Sequence, residues 1–328
     1  MTTYHLNQLT ITEYEIQSEK LTVRFLNLGG AITKISMTAD NENLVLTFDD
    51  YHDYLHNGCY LNTLIGRTSN RIKEGLFTIN NKPYTVDLNT PNNNLHGGAE
   101  NLSHVLFDVT PIEHGYALET IMPHQPDGFP GNLSTRILYE VIDDTFKVTF
   151  NATTDRETIV NFTQHLYFNL SGNVKSNILN HELQINADYI ATVDENSSFT
   201  ENVLAVENTC FDFRTPTIID PTHKLTHPQM TLTNGYDHLF ILSNNQPAAI
   251  LIDPTSKRKM TLSTTLPSMQ VYGGNFLSDR ITFENNRRGE AHLGLALEAH
   301  YIPYDYNAQY LTLHQLYNES ISFTFTKD

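Results

Sequence analysis

The chain has no tryptophan and only two cysteines, Cys59 and Cys210, in 328 residues. One bridge is the most they could form, so nothing points to a disulfide framework. Basic residues are also scarce. Lys and Arg total 20 against 37 Asp and Glu, a formal net charge of −17. Phosphate binding needs clustered Lys and Arg, so the balance argues against nucleic acid and anionic membrane surfaces. It argues more weakly against highly phosphorylated substrates, and it suits a neutral ligand such as a sugar. No apolar run is long enough to span a bilayer, so no membrane segment is expected. The opening MTTYHLNQLTITEYEIQ has neither a basic stretch nor an apolar core. It does not read as a signal peptide, and a cytoplasmic location is the expectation. Also missing are a His-x-Glu or Cys-x-x-Cys zinc pattern, a Gly-x-Ser-x-Gly elbow, and a Walker or dinucleotide fingerprint. A metal or nucleotide cofactor therefore has no support in the sequence.

Charged residues make up 17% and hydrophobic ones 39%, the difference being filled by Asn, Thr, Ser and Tyr. The 17 Tyr and 17 Phe suit strands, where aromatic and β-branched side chains pack well. Alternation recurs along the chain. Leu21, Val23 and Phe25 share one face of LTVRF. Phe146, Val148, Phe150 and Ala152 oppose Lys147, Thr149 and Asn151. Ile321, Phe323 and Phe325 share a face near the end. GLFTINNKPYTVDLN reads as a hairpin turning at Asn80-Asn81. Helical periodicity is weak, with short turns expected around DDYHDYLHNG and between Asn307 and Leu316. Many short strands between Gly, Pro and Asn turns, with no linker or composition break, predict an all-β chain. The expected form is one large antiparallel β-sandwich domain over residues 1–328 with few short helices.

Five stretches stand out from this background. NTLIGRTSNRIKEG carries Arg67, Asn70 and Arg71 between glycines. A guanidinium fork there either holds ligand oxygens or pins a loop. NNNLHGG sets His96 before two glycines, a loop position that often carries function. TQHLYFNLSG holds His165. From Asn161 onward the even positions Phe162, Leu166, Phe168 and Leu170 are apolar and Gln164 is the exception. The odd positions Thr163, His165, Tyr167 and Asn169 are polar. That period-two pattern predicts a strand with His165 on its polar face. His165 is then either a residue on a solvated face or a proton-transfer group in a cleft. GYDHLFIL begins a strand at Asp237, which reads as a turn former or a ligand contact. LGLALEAHYIPY places Glu298 at the end of an apolar run, where burial would raise its pKa and prepare it for proton transfer. The Pro/Gly-rich PHQPDGFPGNL reads as an ordered loop over one end of the sandwich.

Taken in order, GRTSNRI, NLHGG, QHLYFNLSG, YDHLF, QVYGGNFL and LALEAHYIP resemble the motifs of the aldose 1-epimerases, from about Asn62 to about Asn307. Each motif is modest alone; the ordered set is specific. The resemblance implies a β-sandwich isomerase that needs no cofactor or metal and acts on a small aldose, and it leaves a homodimer open. Carried over by motif, Glu298 would be the general base and His165 the general acid. His96 would assist near the ring oxygen, while Asn70, Arg71, Asp237 and Gln270 would hold sugar hydroxyls. The chain departs from the family pattern at Gln164 (usually Asn), at His300 (usually Gln) and at Tyr304 (usually Asp). These changes put sugar preference in question and leave the acid and base in place. Rival readings are an epimerase of hexose 6-phosphates, a glycosidase using Asp237 and Glu298, and a non-catalytic sugar-binding module.

Overall fold

The computed structural model describes residues 1–6, 9–220, 226–243 and 245–328. Three antiparallel sheets dominate. The first is a four-stranded meander of Thr2–Leu6, Leu9–Gln17, Leu21–Leu26 and Ile32–Met37. The second has nine strands. In spatial order they are Asp108–Ile112, Gly115–Met122, Leu133–Ile142, Thr145–Thr154, Tyr317–Lys327, Arg258–Thr264, Ala249–Asp253, Glu182–Ile185 and Thr217–Ile218. The third has six, ordered Tyr167–Phe168, Leu295–His300, Ser268–Tyr272, Asp237–Leu242, Ala187–Val193 and Phe199–Ala205.

Period-two alternation explains how these sheets share a core. Thr145–Thr154 buries Phe146, Val148, Phe150 and Ala152, and Tyr317–Lys327 buries Ile321, Phe323 and Phe325. Phe146 lies opposite Phe323 and Val148 opposite Ile321, so the two rows form one apolar face. The other sheets press onto it, with Phe168 5.3 Å from Phe323 and Phe25 5.1 Å from Tyr139 between ring centroids. From the six-stranded sheet, Leu295, Leu297 and Ala299 enter this core. Their alternates Ala296, Glu298 and His300 therefore face the other way, and a cleft opens on that side.

The hairpin forms as expected, Leu76–Ile79 pairing with Lys82–Thr85, with Asn80 and Asn81 at φ 49° and 61° in its turn. Tyr51–His56 is a short 3₁₀ helix capped by the Asp50 side chain. Between Asn307 and Leu316 there is no helix, only turns and the two-residue strand Tyr310–Leu311. TQHLYFNLSG also differs from expectation. It is not one strand with a wet face. Thr163–Gln164 pairs with Leu64–Ile65, the chain turns at His165, and Tyr167–Phe168 then pairs with Leu295–Ala296. Residues 161–170 are all buried, because core covers one side and the cleft the other.

Arg67 resolves to the loop-pinning role. Its side chain is 2% exposed. Nη1 donates to Pro130 O at 2.6 Å and Thr158 Oγ1 at 3.3 Å, and Nη2 to Met122 O and Pro123 O at 3.2 Å. Among the described residues no carboxylate pairs with it, and burial draws its pKa down to about 10. It therefore ties the PHQPDGFPGNL loop to the sheets through neutral oxygens. Arg67→Leu leaves those carbonyls without donors, and a loss of roughly 2–4 kcal/mol is expected in urea denaturation. A change within about 0.5 kcal/mol, the usual range of an innocuous surface substitution, would contradict this role.

Candidate active site

The cleft is a cavity of about 560 Å³. Its floor follows from strand register. Leu239 lies opposite Gln270, and Gln270 opposite Glu298. Asp237 lies opposite Tyr272, Tyr272 opposite Ala296, and Ala296 opposite Tyr167. Directly opposed residues share a face, so Gln270, Glu298, Asp237 and Tyr272 stand together. Continuing the register past Tyr167 brings His165 beside Glu298, and His165 Nε2 is 3.3 Å from Glu298 Oε1.

The opposite wall comes from a second device. Arg71–Lys73 pairs with Asn93–Leu95, which sets Asn70 and Arg71 beside His96. Asn70 and His96 both adopt left-handed backbone, φ 61° and 55°, a conformation Asn tolerates better than most residues. They bond reciprocally: His96 N donates to Asn70 O at 2.9 Å, and Asn70 N donates to His96 Nδ1 at 3.2 Å. Gly97, at φ 91°, follows, and a Cβ there would lie 2.6 Å from Arg67 N. Only glycine allows that approach.

The two walls are joined by amides. Asn70 Nδ2 donates to Gln270 Oε1 at 3.1 Å, and Gln270 Nε2 donates to Asp237 Oδ1 at 2.6 Å. Thus Asn70, Arg71, His96, His165, Asp237, Gln270 and Glu298, named from separate sequence stretches, all line one cavity. Alternation put Tyr167 on the His165 face, but sequence reading passed over Tyr60. Tyr60 lies 4.6 Å from His96, and Tyr167 stacks 4.9 Å from His165 at 29° between planes. Nothing in local composition marks Tyr60, because only tertiary packing brings it to His96. Asn62, which donates its backbone N–H to His165 O at 3.0 Å, was quoted only as the start of a motif.

Electrostatics follow from burial. Desolvation lifts Glu298 well above the usual carboxylate range, and Asp237 pushes the same way while Arg71 opposes both. Asp237 is raised too, chiefly by desolvation, with Arg71 and the Gln270 bond opposing. Burial draws His165 down to about 4, with His300 acting in the same direction. His96 is drawn well below its ordinary value by burial and then by His165. The free site therefore favours uncharged imidazoles and a protonated Glu298, with a proton shared across the 3.3 Å gap.

Ligand atoms of His96, His165 and Glu298 lie within 4.8 Å of one another, which raises the question of a metal. The histidine chemistry does not fit one. His96 Nδ1 accepts from Asn70 N–H, so the neutral ring carries its proton on Nε2. It presents an N–H donor to the cavity where a metal would need a lone pair.

Known proteins bear on this arrangement. A family model described as aldose 1-epimerase matches residues 12–325. The chain belongs to the aldose 1-epimerase family. It is, with that family, an isomerase. Galactose mutarotase of Bos taurus is 32% identical over 295 residues, covering 88% of this chain and 85% of that protein. Aldose 1-epimerase of Escherichia coli K12 is 33% identical over 256 residues, covering 76% and 73%. Among solved structures, galactose 1-epimerase from Lactobacillus acidophilus NCFM superposes with a TM-score of 0.89 at 26% identity, covering 99% of this chain and 98% of that one. A Caenorhabditis elegans GalM/aldose epimerase homologue gives 0.85 at 22% identity over 97% and 99%, a likeness of fold. The aldose 1-epimerase fold thus spans the described chain. No helix among the described residues is long and apolar enough to cross a membrane.

Proposed function

We propose that the protein interconverts the α and β anomers of free aldohexoses such as galactose and glucose, with Glu298 as base and His165 as acid. The observation that carries this reading is the buried His165–Glu298 pair, 3.3 Å apart at the floor of the cavity. Opening the hemiacetal requires a base to take the proton of the anomeric hydroxyl and an acid to protonate the ring oxygen. The C1–O5 bond then breaks, the aldehyde rotates about C1–C2, and closure on the other face reverses both transfers. Each group acts as acid and base in turn, and such groups work best with pKa values tuned toward the working pH.

The pair's electrostatics suit this cycle. A protonated Glu298 with a neutral His165 holds the same protons as a carboxylate with an imidazolium. Moving one proton across the gap makes the reactive form. A sugar hydroxyl donating to the carboxylate favours that move, as does a ring oxygen accepting from the imidazolium. His96, with its proton on Nε2, offers a further donor near the ring oxygen. Asn70, Arg71, Asp237 and Gln270 supply donors and acceptors for the remaining hydroxyls. We read residues 1–328 as one domain working in the cytoplasm. A neutral sugar is favoured over a sugar phosphate by the lining charges. Arg71 and Arg280 share the lining with the carboxyl groups of Asp53, Asp237 and Glu298, so the cavity wall is not predominantly basic.

Optical rotation of freshly dissolved α-D-galactose and α-D-glucose should relax faster with catalytic amounts of protein than without it. Unchanged relaxation for both sugars, and for other aldoses, would overturn the reading.

A further inference from the structure

We propose that Gln164 is a positioning residue for His165: by bridging Asn62 and Tyr139, it fixes the backbone turn that aims the imidazole at Glu298. The inference rests on the mutarotase reading above.

A functional histidine is commonly oriented by a hydrogen bond at its second ring nitrogen. Here no other described residue supplies that bond. His165 Nδ1 is buried and meets no donor or acceptor of another described residue. Ring orientation must come from stacking on Tyr167 and from the backbone. The backbone at this point is a tight turn, with Leu166 N donating to Gln164 O at 3.0 Å around His165. That turn is what departs from a regular strand, so it needs support from outside itself.

Asn62 supplies the support on one side. Its backbone N–H donates to His165 O at 3.0 Å, and its Oδ1 accepts from Tyr167 N at 2.9 Å. Its Nδ2 is anchored on Ile32 O at 2.8 Å and Leu46 O at 2.5 Å. Thr63 O accepts from His165 N at 2.9 Å. Gln164 completes the clamp. Its Nε2 donates to Asn62 O and its Oε1 accepts from Tyr139 Oη, both at 2.6 Å. Tyr139 belongs to the nine-stranded sheet and also lies 2.7 Å from Gly30 O, so its one hydroxyl proton serves two acceptors. Gln164 is 0% exposed and touches no substrate space. It reaches from the turn to the large sheet across the core. This also explains the polar exception on the apolar face of TQHLYFNLSG. An asparagine would carry its amide about 1.5 Å nearer its own backbone, too short to keep both bonds.

The test uses Gln164→Met, which keeps length and removes the amide, and Gln164→Asn, which keeps the amide and removes length. Both should lower kcat on α-D-galactose at least tenfold with KM within twofold, and both should shift the pH dependence of kcat. Leu251→Ala, in the large sheet and away from the cleft, serves as a destabilised reference and should keep kcat and pH profile. Tyr139→Phe removes one end of the bridge alone and should lower kcat about threefold. If the Gln164 variants do not fold, Tyr139→Phe decides: an unchanged kcat overturns the proposal. So does a Gln164→Met kcat within twofold of wild type, or a pH profile that Gln164→Met and Leu251→Ala share. A wild type that fails to accelerate anomerisation defeats the mutarotase reading instead. The positioning claim is then read from the imidazole NMR resonances of His165, which Gln164→Met should move and Leu251→Ala should not. Resonances that stay in place in Gln164→Met overturn it.

Discussion

Glu298→Gln is expected to lower kcat on α-D-galactose by about 10²–10⁴-fold, the usual contribution of one positioned proton-transfer group. The substitution conserves shape and burial, so the fold should survive. It removes the carboxylate paired with His165, and an amide cannot take the anomeric proton. The pH profile should change character as well. In the wild type, activity should fall as pH rises and the one proton shared by Glu298 and His165 is lost, at a value above the ordinary carboxylate range because burial and Asp237 lift Glu298. The variant should lose that limb. A profile that keeps it, measured by polarimetry at several pH values, would remove Glu298 from the base role. Combining Glu298→Gln with His165→Asn should cost no more than the worse single change, because residues acting as a unit are not additive.

Acid should unfold the protein well before ordinary carboxylates titrate. Burial depresses His165 and His300 to about 4 and His238 to about 3, whereas an unfolded histidine titrates near 6.5. His96 and His181 are depressed in the same direction. Below pH ~6.5 the unfolded chain binds protons that the folded chain refuses, so stability falls as pH drops. The contribution is fully present above the unfolded value and is lost down through the folded one. Each unit of depression is worth about 1.4 kcal/mol, so a few such rings weigh heavily against the roughly 5–15 kcal/mol that holds a typical domain together. Glu298 and Asp237 act oppositely, because their raised pKa values make the folded state take up protons first. Asp53 and Glu284 are raised as well, but the depressed imidazoles, His104 included, outnumber the raised carboxyls. Urea midpoints followed by far-UV circular dichroism should fall steeply between pH 6.5 and 4. A flat profile over that window would contradict the neutral, buried state of these rings.

The sheets were legible because their signal is local. Phe146, Val148 and Phe150 announce a strand wherever it docks, and Asn80-Asn81 announces its turn. His165 was harder. Alternation in TQHLYFNLSG carried a true fact, the sharing of a face, and a false one, a continuous strand. The turn at His165 exists because Asn62, about a hundred residues earlier, captures groups of Gln164, His165 and Tyr167. No periodicity records such a capture. Arg67 and Arg71 show the same limit. Four residues apart in one motif, one is enclosed by loop carbonyls and the other lines the cavity. Residue type cannot separate them, since guanidinium serves both roles. Glu298 was legible for the converse reason: a carboxylate ending an apolar run has few places to go except a buried face.

The strand Leu295–His300 alternates core and cleft residues, and this gives folding a built-in check on function. A slip of one residue against either neighbour would turn Leu297 and Ala299 into the cavity and press Glu298 into the apolar core. The slipped chain would lose the proposed base and would also strand a carboxyl group among Phe and Leu side chains. Error at Glu298 is thus penalised during assembly, before any ligand is met. Chains that reach the folded state are selected for having Glu298 on the correct side.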